Sequence, residues 1–202
     1  NAEKQQFEME LSALCPEVEI RYALGDSLLT ASSPLYQGPV ALADEQPIYA
    51  ALFREGKPLG EVRSRRFAIN KATGRPYHCT PAAGWEHLHP GRGLTDGWRA
   101  TPRDMRHWVS FYQDTVRIVI DLQQPQEVSR VTLATLWRPW NTIWPARQVS
   151  VALAYEESSE GSHDAEAAHY TQVATLLPEY DFSLTEGTRF PVSLSFPAQQ
   201  AR

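Results

Sequence analysis

Residues 7–14, Phe-Glu-Met-Glu-Leu-Ser-Ala-Leu, alternate apolar and polar side chains. In an extended chain successive side chains point to opposite faces, so Phe7, Met9, Leu11 and Ala13 share one face. This pattern is typical of a half-buried β-strand. Because the same alternation recurs along the chain and helical periodicity is nearly absent, the sequence predicts an all-β protein.

The same alternation predicts nine further strands. Glu55-Gly56-Lys57 predicts a turn between two of them, and the short, regular spacing up to residue 69 predicts a compact small sandwich. The strands are expected at residues 17–24, 39–43, 48–54, 62–69, 116–122, 128–136, 148–155, 170–177 and 189–196.

Two stretches break the alternation. Residues 70–115 mix many prolines and glycines with Trp85, Trp98 and Trp108, which is too rich in turn formers for regular elements and too aromatic for a flexible linker. We expect long loops packed on a β scaffold there. Residues 156–168 are acidic and rich in small side chains, which predicts an exposed loop.

Composition argues against several classes of protein. The chain has 202 residues, of which 42% are hydrophobic, and no apolar run approaches the roughly 20 residues that span a bilayer. Residues 70–149 carry ten Lys and Arg against six Asp and Glu, but the arginines are spread singly among Trp and Pro rather than clustered. Membrane insertion and nucleic-acid binding are therefore not expected.

The two cysteines, Cys15 and Cys79, are far apart in sequence and form no zinc pattern. We expect two independent, largely buried thiols, with a single disulfide as the alternative. No signal segment is visible, so the chain is expected to be either intracellular or part of a longer precursor. Asn1-Ala2 is interpreted as a cloning remnant.

The first part of the chain resembles the small Ig-like β-sandwich that follows the catalytic barrel in bacterial family 20 glycoside hydrolases, the β-N-acetylhexosaminidases (chitobiase type). The similarity covers residues 7–69. It rests on Glu-Ile-Arg-Tyr at 19–22, Ser-Pro-Leu-Tyr at 33–36, Gly-Pro-Val-Ala-Leu at 38–42, the hydrophobic run 48–53 and Gly56.

The second part, residues 70–202, resembles a discoidin (factor V/VIII C-type) jelly roll with the galactose-binding-like fold. The similarity rests on Leu-Thr-Asp-Gly at 94–97, Trp-Val-Ser-Phe at 108–111, Ile-Val-Ile-Asp-Leu at 118–122 and Ile-Trp-Pro at 143–145. Jelly rolls of this type finish with further strands, so the resemblance predicts that the C-terminal strands are missing.

The order of the two modules implies a parent enzyme, a secreted β-N-acetylhexosaminidase, and export to the periplasm, cell surface or medium. Family 20 enzymes keep an adjacent Asp-Glu pair, and Asp44-Glu45 is such a pair, but it falls in a predicted turn and is interpreted as solvated. No Ser-His-Asp arrangement stands out. The chain is therefore predicted to be a non-catalytic accessory region whose partners are a glycan, such as one containing N-acetylhexosamine, and its own catalytic domain.

Candidate carbohydrate-binding residues are concentrated in residues 137–144, where Trp, Arg and Asn alternate in a loop between two strands. An indole can cover the C–H face of a pyranose, and Arg or Asn can hydrogen-bond to its hydroxyls. Intramolecular packing and a domain interface are the alternatives for Trp137 and Trp140, whereas Trp144 and Trp108 are expected to be structural. The candidate residues are Trp98, Arg99, Trp137, Arg138, Trp140 and Asn141.

No cofactor is expected. Some discoidin-like modules hold a structural Ca²⁺ where this chain has Asp96-Gly97, and a tight Asp-Gly turn is the alternative. His87 and His89 would share one side of an extended segment, as in the beginning of a metal site, but no further ligands are evident and a surface loop is favoured.

Overall fold

The computed structural model describes residues 7–86, 91–155, 169–183 and 187–202. The described residues form eleven strands in antiparallel sheets and two short 3₁₀ turns, Met105–His107 and Pro139–Asn141. The predicted all-β class is confirmed, and the sheets are those of a β-sandwich architecture. The Ig-like and discoidin assignments stay predictions. None of the described helical segments is long and apolar enough to cross a bilayer.

The chain divides into two compact units. The first contains the described residues up to Gly74 together with Thr95–Arg99, and the second contains the described residues of Arg75–Leu94 and Ala100–Arg202. The short segment 95–99 is therefore part of the first unit although the chain on both sides of it belongs to the second.

The first unit consists of a two-stranded and a three-stranded antiparallel sheet. In the first sheet β1 pairs with β3, and in the second the order is β2-β4-β5. The strands are β1 (Phe7–Met9), β2 (Glu19–Leu24), β3 (Val40–Leu42), β4 (Pro47–Arg54) and β5 (Lys57–Arg66). Their core is formed by Met9, Leu42 and Ile48, which come from both sheets.

The second unit consists of three antiparallel strand pairs, β6 with β7, β8 with β11, and β9 with β10. Val151 of β9 packs with three alternating residues of β11, Val192, Leu194 and Phe196, so the β9-β10 and β8-β11 sheets share one core. The strands are β6 (Tyr77–Thr80), β7 (Arg117–Ile120), β8 (Gln126–Trp137), β9 (Val149–Leu153), β10 (Thr171–Leu176) and β11 (Thr188–Ala201).

Several strands differ from the sequence-based expectation. The segment beginning at Phe7 is a strand only to Met9, and Leu14 is fully exposed. The strand expected to begin at Val62 begins at Lys57, because residues 57–59 pair with β4 through the predicted turn. Within the expected loop region, β6 forms a four-residue ladder with β7. The segment expected to be an exposed acidic loop, residues 156–168, lies outside the described residues.

The cysteines are both free, as predicted. Cys79 is buried in β6, but Cys15 is exposed, so the expectation that both thiols are largely buried is wrong for Cys15. Partial burial, with a smaller contribution from the charge of Glu86, raises the pKa of the Cys79 thiol.

Candidate functional site

The six candidate residues do not share one compact unit. Trp98 and Arg99 belong to the first unit, whereas Trp137, Arg138, Trp140 and Asn141 belong to the second. The two groups are therefore considered separately.

Trp98 is held by contacts within the first unit. Its backbone forms an antiparallel bridge with Phe67, and the two rings meet edge to face with centroids 5.2 Å apart. The guanidinium of Arg65 lies 5.7 Å from the centre of the Trp98 ring, and the side chain of Arg99 forms a 2.6 Å ion pair with Glu45. These contacts favour a packing role for Trp98 and Arg99, and Glu45, which is exposed in the connection between β3 and β4 as predicted, forms this ion pair there.

Residues 138–143 form a tight loop after the end of β8. Arg138 and Ile143 exchange backbone hydrogen bonds of 2.9 and 3.2 Å, which close the loop. Between them Pro139–Asn141 forms a 3₁₀ turn, and Thr142 takes a left-handed conformation with φ of 54°. Pro139 is suited to the first position of this turn because its φ is already near the required value. The loop therefore presents Trp140 and Asn141 from a fixed backbone.

Trp137 is not on the exposed part of this loop. It is the last residue of β8, only 6% of its surface is exposed, and its ring meets Phe182 with centroids 5.2 Å apart. A sugar cannot cover an indole that is already packed, so the expected sugar contact at Trp137 is corrected to intramolecular packing. Its Nε1 is buried without a hydrogen-bond partner among the described residues.

Trp140 and Asn141 are exposed, with 55% of the Trp140 surface open to solvent. The guanidinium carbon of Arg138 lies 5.4 Å from the centre of the Trp140 ring. This distance is within the range of a cation–π contact, which fixes the two side chains relative to each other. Three of the four candidates in this loop, Arg138, Trp140 and Asn141, are thus brought together at its turn.

Trp144 was expected to be structural, and this expectation is wrong. Its side chain is 66% exposed, whereas the following Pro145 is buried, so the corner is filled by the proline rather than by the indole. The Trp144 ring lies beside Phe182, with centroids 6.2 Å apart, and Phe182 is itself 47% exposed. We call Arg138, Trp140, Trp144 and Phe182 the aromatic surface.

Sequence reasoning missed Phe182. It lies in the connection between β10 and β11, more than 35 residues from Trp144 in sequence, and in Tyr-Asp-Phe at 180–182 nothing distinguishes its ring from a core aromatic. The nearby Tyr180 does pack inward, against Phe190 and the core of the second unit, and its hydroxyl donates to the Ala146 carbonyl at 2.7 Å.

Trp108, expected to be structural, is half-buried, and its indole N–H donates to the Thr101 carbonyl at 3.0 Å.

The residues around Asp96 have the geometry of a tight turn rather than of a calcium site. Asp96 Oδ1 accepts the backbone N–H of Trp98 at 2.7 Å, and Gly97 has a positive φ of 74°. The carbonyls of Thr95 and Gly97 accept backbone hydrogen bonds from Gly74 and Ala68. Calcium needs six to eight oxygen ligands, and no cluster of three or more His, Cys, Asp or Glu suited to a metal occurs in the described ranges. The described residues therefore favour the tight Asp-Gly turn, and the calcium site stays a prediction. His87 and His89 lie outside the described residues.

One carboxylate in the second unit is closely bound by hydrogen bonds. Glu86 accepts the hydroxyl of Tyr77 and the backbone N–H groups of Gly91 and Gly93, the latter two at 2.8 and 2.7 Å. Partial burial raises the pKa of Glu86, but these hydrogen bonds together outweigh it and hold the pKa below its usual value. Burial and the bond to Glu86 raise the pKa of the Tyr77 hydroxyl. The cluster fastens the 91–93 turn and is structural.

A family model described as Fn3 associated matches residues 9–67, which is less than a third of the chain. This part of the chain is therefore similar to fibronectin-III-like or Ig-like associated domains, and the match suggests a non-catalytic accessory module. No curated protein matches the chain.

Proposed function

We propose that the chain is a non-catalytic accessory region of a secreted β-N-acetylhexosaminidase, and that its second unit binds carbohydrate through the aromatic surface. The observation that carries the proposal is the exposure of Trp140 on the loop closed by the Arg138–Ile143 bridge, together with the exposure of Trp144, which follows this loop directly. Exposed rings on a backbone held by hydrogen bonds suit the apolar faces of a sugar chain, because little ordering is needed on binding.

The module match to residues 9–67 supports the accessory part of the proposal, and the sequence resemblance to family 20 enzymes supports the parent. Under this proposal the enzyme is exported, the catalytic carboxylates lie in a separate barrel, and the isolated chain hydrolyses no glycoside. The chain would then hold the enzyme near its substrate and raise the effective substrate concentration.

The test is intrinsic Trp fluorescence of the chain during titration with N-acetylhexosamines, galactosides and chitooligosaccharides. We expect a saturable change that is lost in Trp140→Ala and weakened in Trp144→Ala. Tyr112→Ala is the matched control, since Tyr112 is an aromatic residue with 81% exposure outside the loop. A flat response across the sugars, or equal loss in the control, would reject binding by the aromatic surface.

A second candidate function is docking of the second unit on the catalytic domain. It is favoured by a separate apolar groove of about 560 Å³, lined by Leu176, Leu177, Tyr180 and Phe190 among others. Leu177 is 70% exposed, and an exposed apolar surface of this kind is typical of an interaction site. Hydrogen exchange of the chain alone and within the full-length enzyme tests this: slower exchange at residues 176–180 in the enzyme supports docking, and unchanged exchange rejects it.

A further inference from the structure

Arg138 has no counter-charge in the described structure. No ion pair among the described residues involves it, and its Nε atom is buried without a hydrogen-bond partner among them. From Val128 to Tyr155 the sequence holds three arginines and no acidic residue. The positive charge of Arg138 is therefore not neutralised by any acidic residue between residues 128 and 155.

Burying the Nε–H of Arg138 without an acceptor costs free energy, because this donor has lost its hydration and no protein hydrogen bond among the described residues replaces it. Exposed arginines avoid this cost by extending into water. Arg138 is instead held close to the protein: its Cγ lies 3.3 Å from the position of a Cβ on Gly187, and its guanidinium lies over Trp140. The side chain is thus positioned for a partner that the described residues do not supply.

The geometry points to an acidic sugar as the preferred ligand of the aromatic surface, and this inference rests on the proposed carbohydrate binding. A guanidinium presents a planar fork of donors that matches the two oxygens of a carboxylate or sulfate. The guanidinium of Arg138 lies over one face of the Trp140 ring, so a pyranose stacked on the other face pairs with it only through a substituent that extends past the edge of the ring. A neutral sugar gains the stacking but leaves the charge of Arg138 unpaired.

The test compares sugars of which one member of each pair carries an acidic substituent, using the chain as it stands. Suitable pairs are galactose with galacturonic acid, N-acetylglucosamine with N-acetylmuramic acid, and N-acetylgalactosamine with its 6-sulfate. A charge-assisted hydrogen bond contributes about 1.5–3 kcal/mol, so we expect the acidic member to bind about tenfold or more tightly. Added salt is expected to reduce this preference.

Arg138→Gln is expected to lower the ratio of the affinities for the acidic and the neutral sugar of each pair to about one, whatever its effect on the neutral sugar alone, and Arg138→Lys to keep part of this ratio, because the charge stays and the fork is lost. Arg147→Gln is the matched control, since Arg147 is an exposed arginine close by in the same segment. Equal affinity for both members of each pair, or a preference unchanged in Arg138→Gln, would overturn the acidic-sugar inference and leave the proposed binding intact. If no sugar binds, both fall.

Discussion

The rings of Phe67 and Trp98 meet edge to face with centroids 5.2 Å apart, and their backbones form an antiparallel bridge. Phe67 also contacts Phe7, with centroids 5.5 Å apart, and packs on the core of the first unit. Trp98 thus completes an aromatic row that begins in β1. A module that ended at residue 69 would lack the indole that covers Phe67.

Trp98→Ala is expected to destabilise the first unit by about 2–3 kcal/mol, somewhat less than a fully buried Trp, because the residue is half-buried. The reason is the loss of ring contacts with Phe67 and of the cation–π contact with Arg65. Urea unfolding followed by circular dichroism measures the change. Trp140→Ala removes an equally large but mostly exposed ring, and its cost is expected to be below about 1 kcal/mol. Equal costs would contradict the packing role.

Gly97 is expected to tolerate alanine much less well than Gly74. Both have a φ of 74°, so the conformational cost of a side chain in the left-handed region, about 1–2 kcal/mol, is common to the two. A Cβ at Gly97 would lie 2.9 Å from the Ala68 carbonyl oxygen, whereas a Cβ at Gly74 meets nothing within 4 Å.

The difference in unfolding free energy between Gly97→Ala and Gly74→Ala therefore isolates the steric contacts of the new Cβ, of which the shortest is with Ala68 and the others are with Phe7 and Thr73. Chemical denaturation of both variants measures it, and Gly97→Ala should be the less stable by about 1 kcal/mol or more, as is typical of overpacking. Indistinguishable midpoints would show that the backbone of residue 68 moves aside freely.

The strands with clear alternation could be predicted from the sequence, and the cores formed as expected on their apolar faces. The alternation in Phe7–Leu14 persists as a burial pattern even beyond β1: Leu11 and Ala13 are half-buried, whereas Leu14 is exposed. The strand itself stops at Met9, because its length depends on the short partner β3. A pattern of side chains reports which face is covered and not how far the hydrogen-bonded ladder extends.

The local sequence also does not predict which of the Trp residues between 137 and 144 are buried. Trp137 and Trp144 lie in one Trp-rich segment, yet Trp137 is buried and Trp144 is exposed. Both rings contact Phe182, but Trp137 is the last residue of β8 and pairs with Thr188 of β11, a residue distant in sequence, whereas Trp144 lies outside that ladder. Likewise β6 is a strand because Tyr77–Thr80 pairs with Arg117–Ile120, about 40 residues away. Pairing across such separations leaves no local signal in a Pro- and Gly-rich stretch.

Glu86 is expected to make the stability of the second unit depend on acid pH. Because its pKa is lower in the folded state than in the unfolded chain, its ionised form stabilises the fold. This contribution is fully present above the unfolded value of about 4.3 and is lost as pH falls through the folded pKa. Glu86→Gln should therefore be less stable than the wild type at neutral pH, with a gap that narrows as pH is lowered.

Urea midpoints of the wild type and of Glu86→Gln measure this difference in stability. The series extends from neutral pH to about pH 3, which lies below the pKa of glutamate in the unfolded chain. Glu61→Gln serves as the control, because Glu61 is an exposed residue of β5 and its replacement should change little at any pH. A gap for Glu86→Gln that stays constant across this range would mean that the carboxylate is not held by its bonds to Tyr77, Gly91 and Gly93.

Glu55→Asn is expected to stabilise the β4-β5 hairpin. Arg54 pairs directly with Lys57, so Glu55 and Gly56 form a two-residue turn, and both have positive φ, 51° and 73°. Such a turn favours Asn-Gly, because Asn adopts the left-handed region at a lower cost than glutamate. The expected gain is about 0.5–1 kcal/mol in unfolding free energy, which is less than the cost of about 1–2 kcal/mol for an ordinary residue in the left-handed conformation.

Glu55→Gln is the control. It removes the same charge and keeps the longer side chain, so it should gain nothing from the backbone. Thermal and urea unfolding compare the two variants, and a gain shared equally by Asn and Gln would assign the effect to the lost charge instead of the turn.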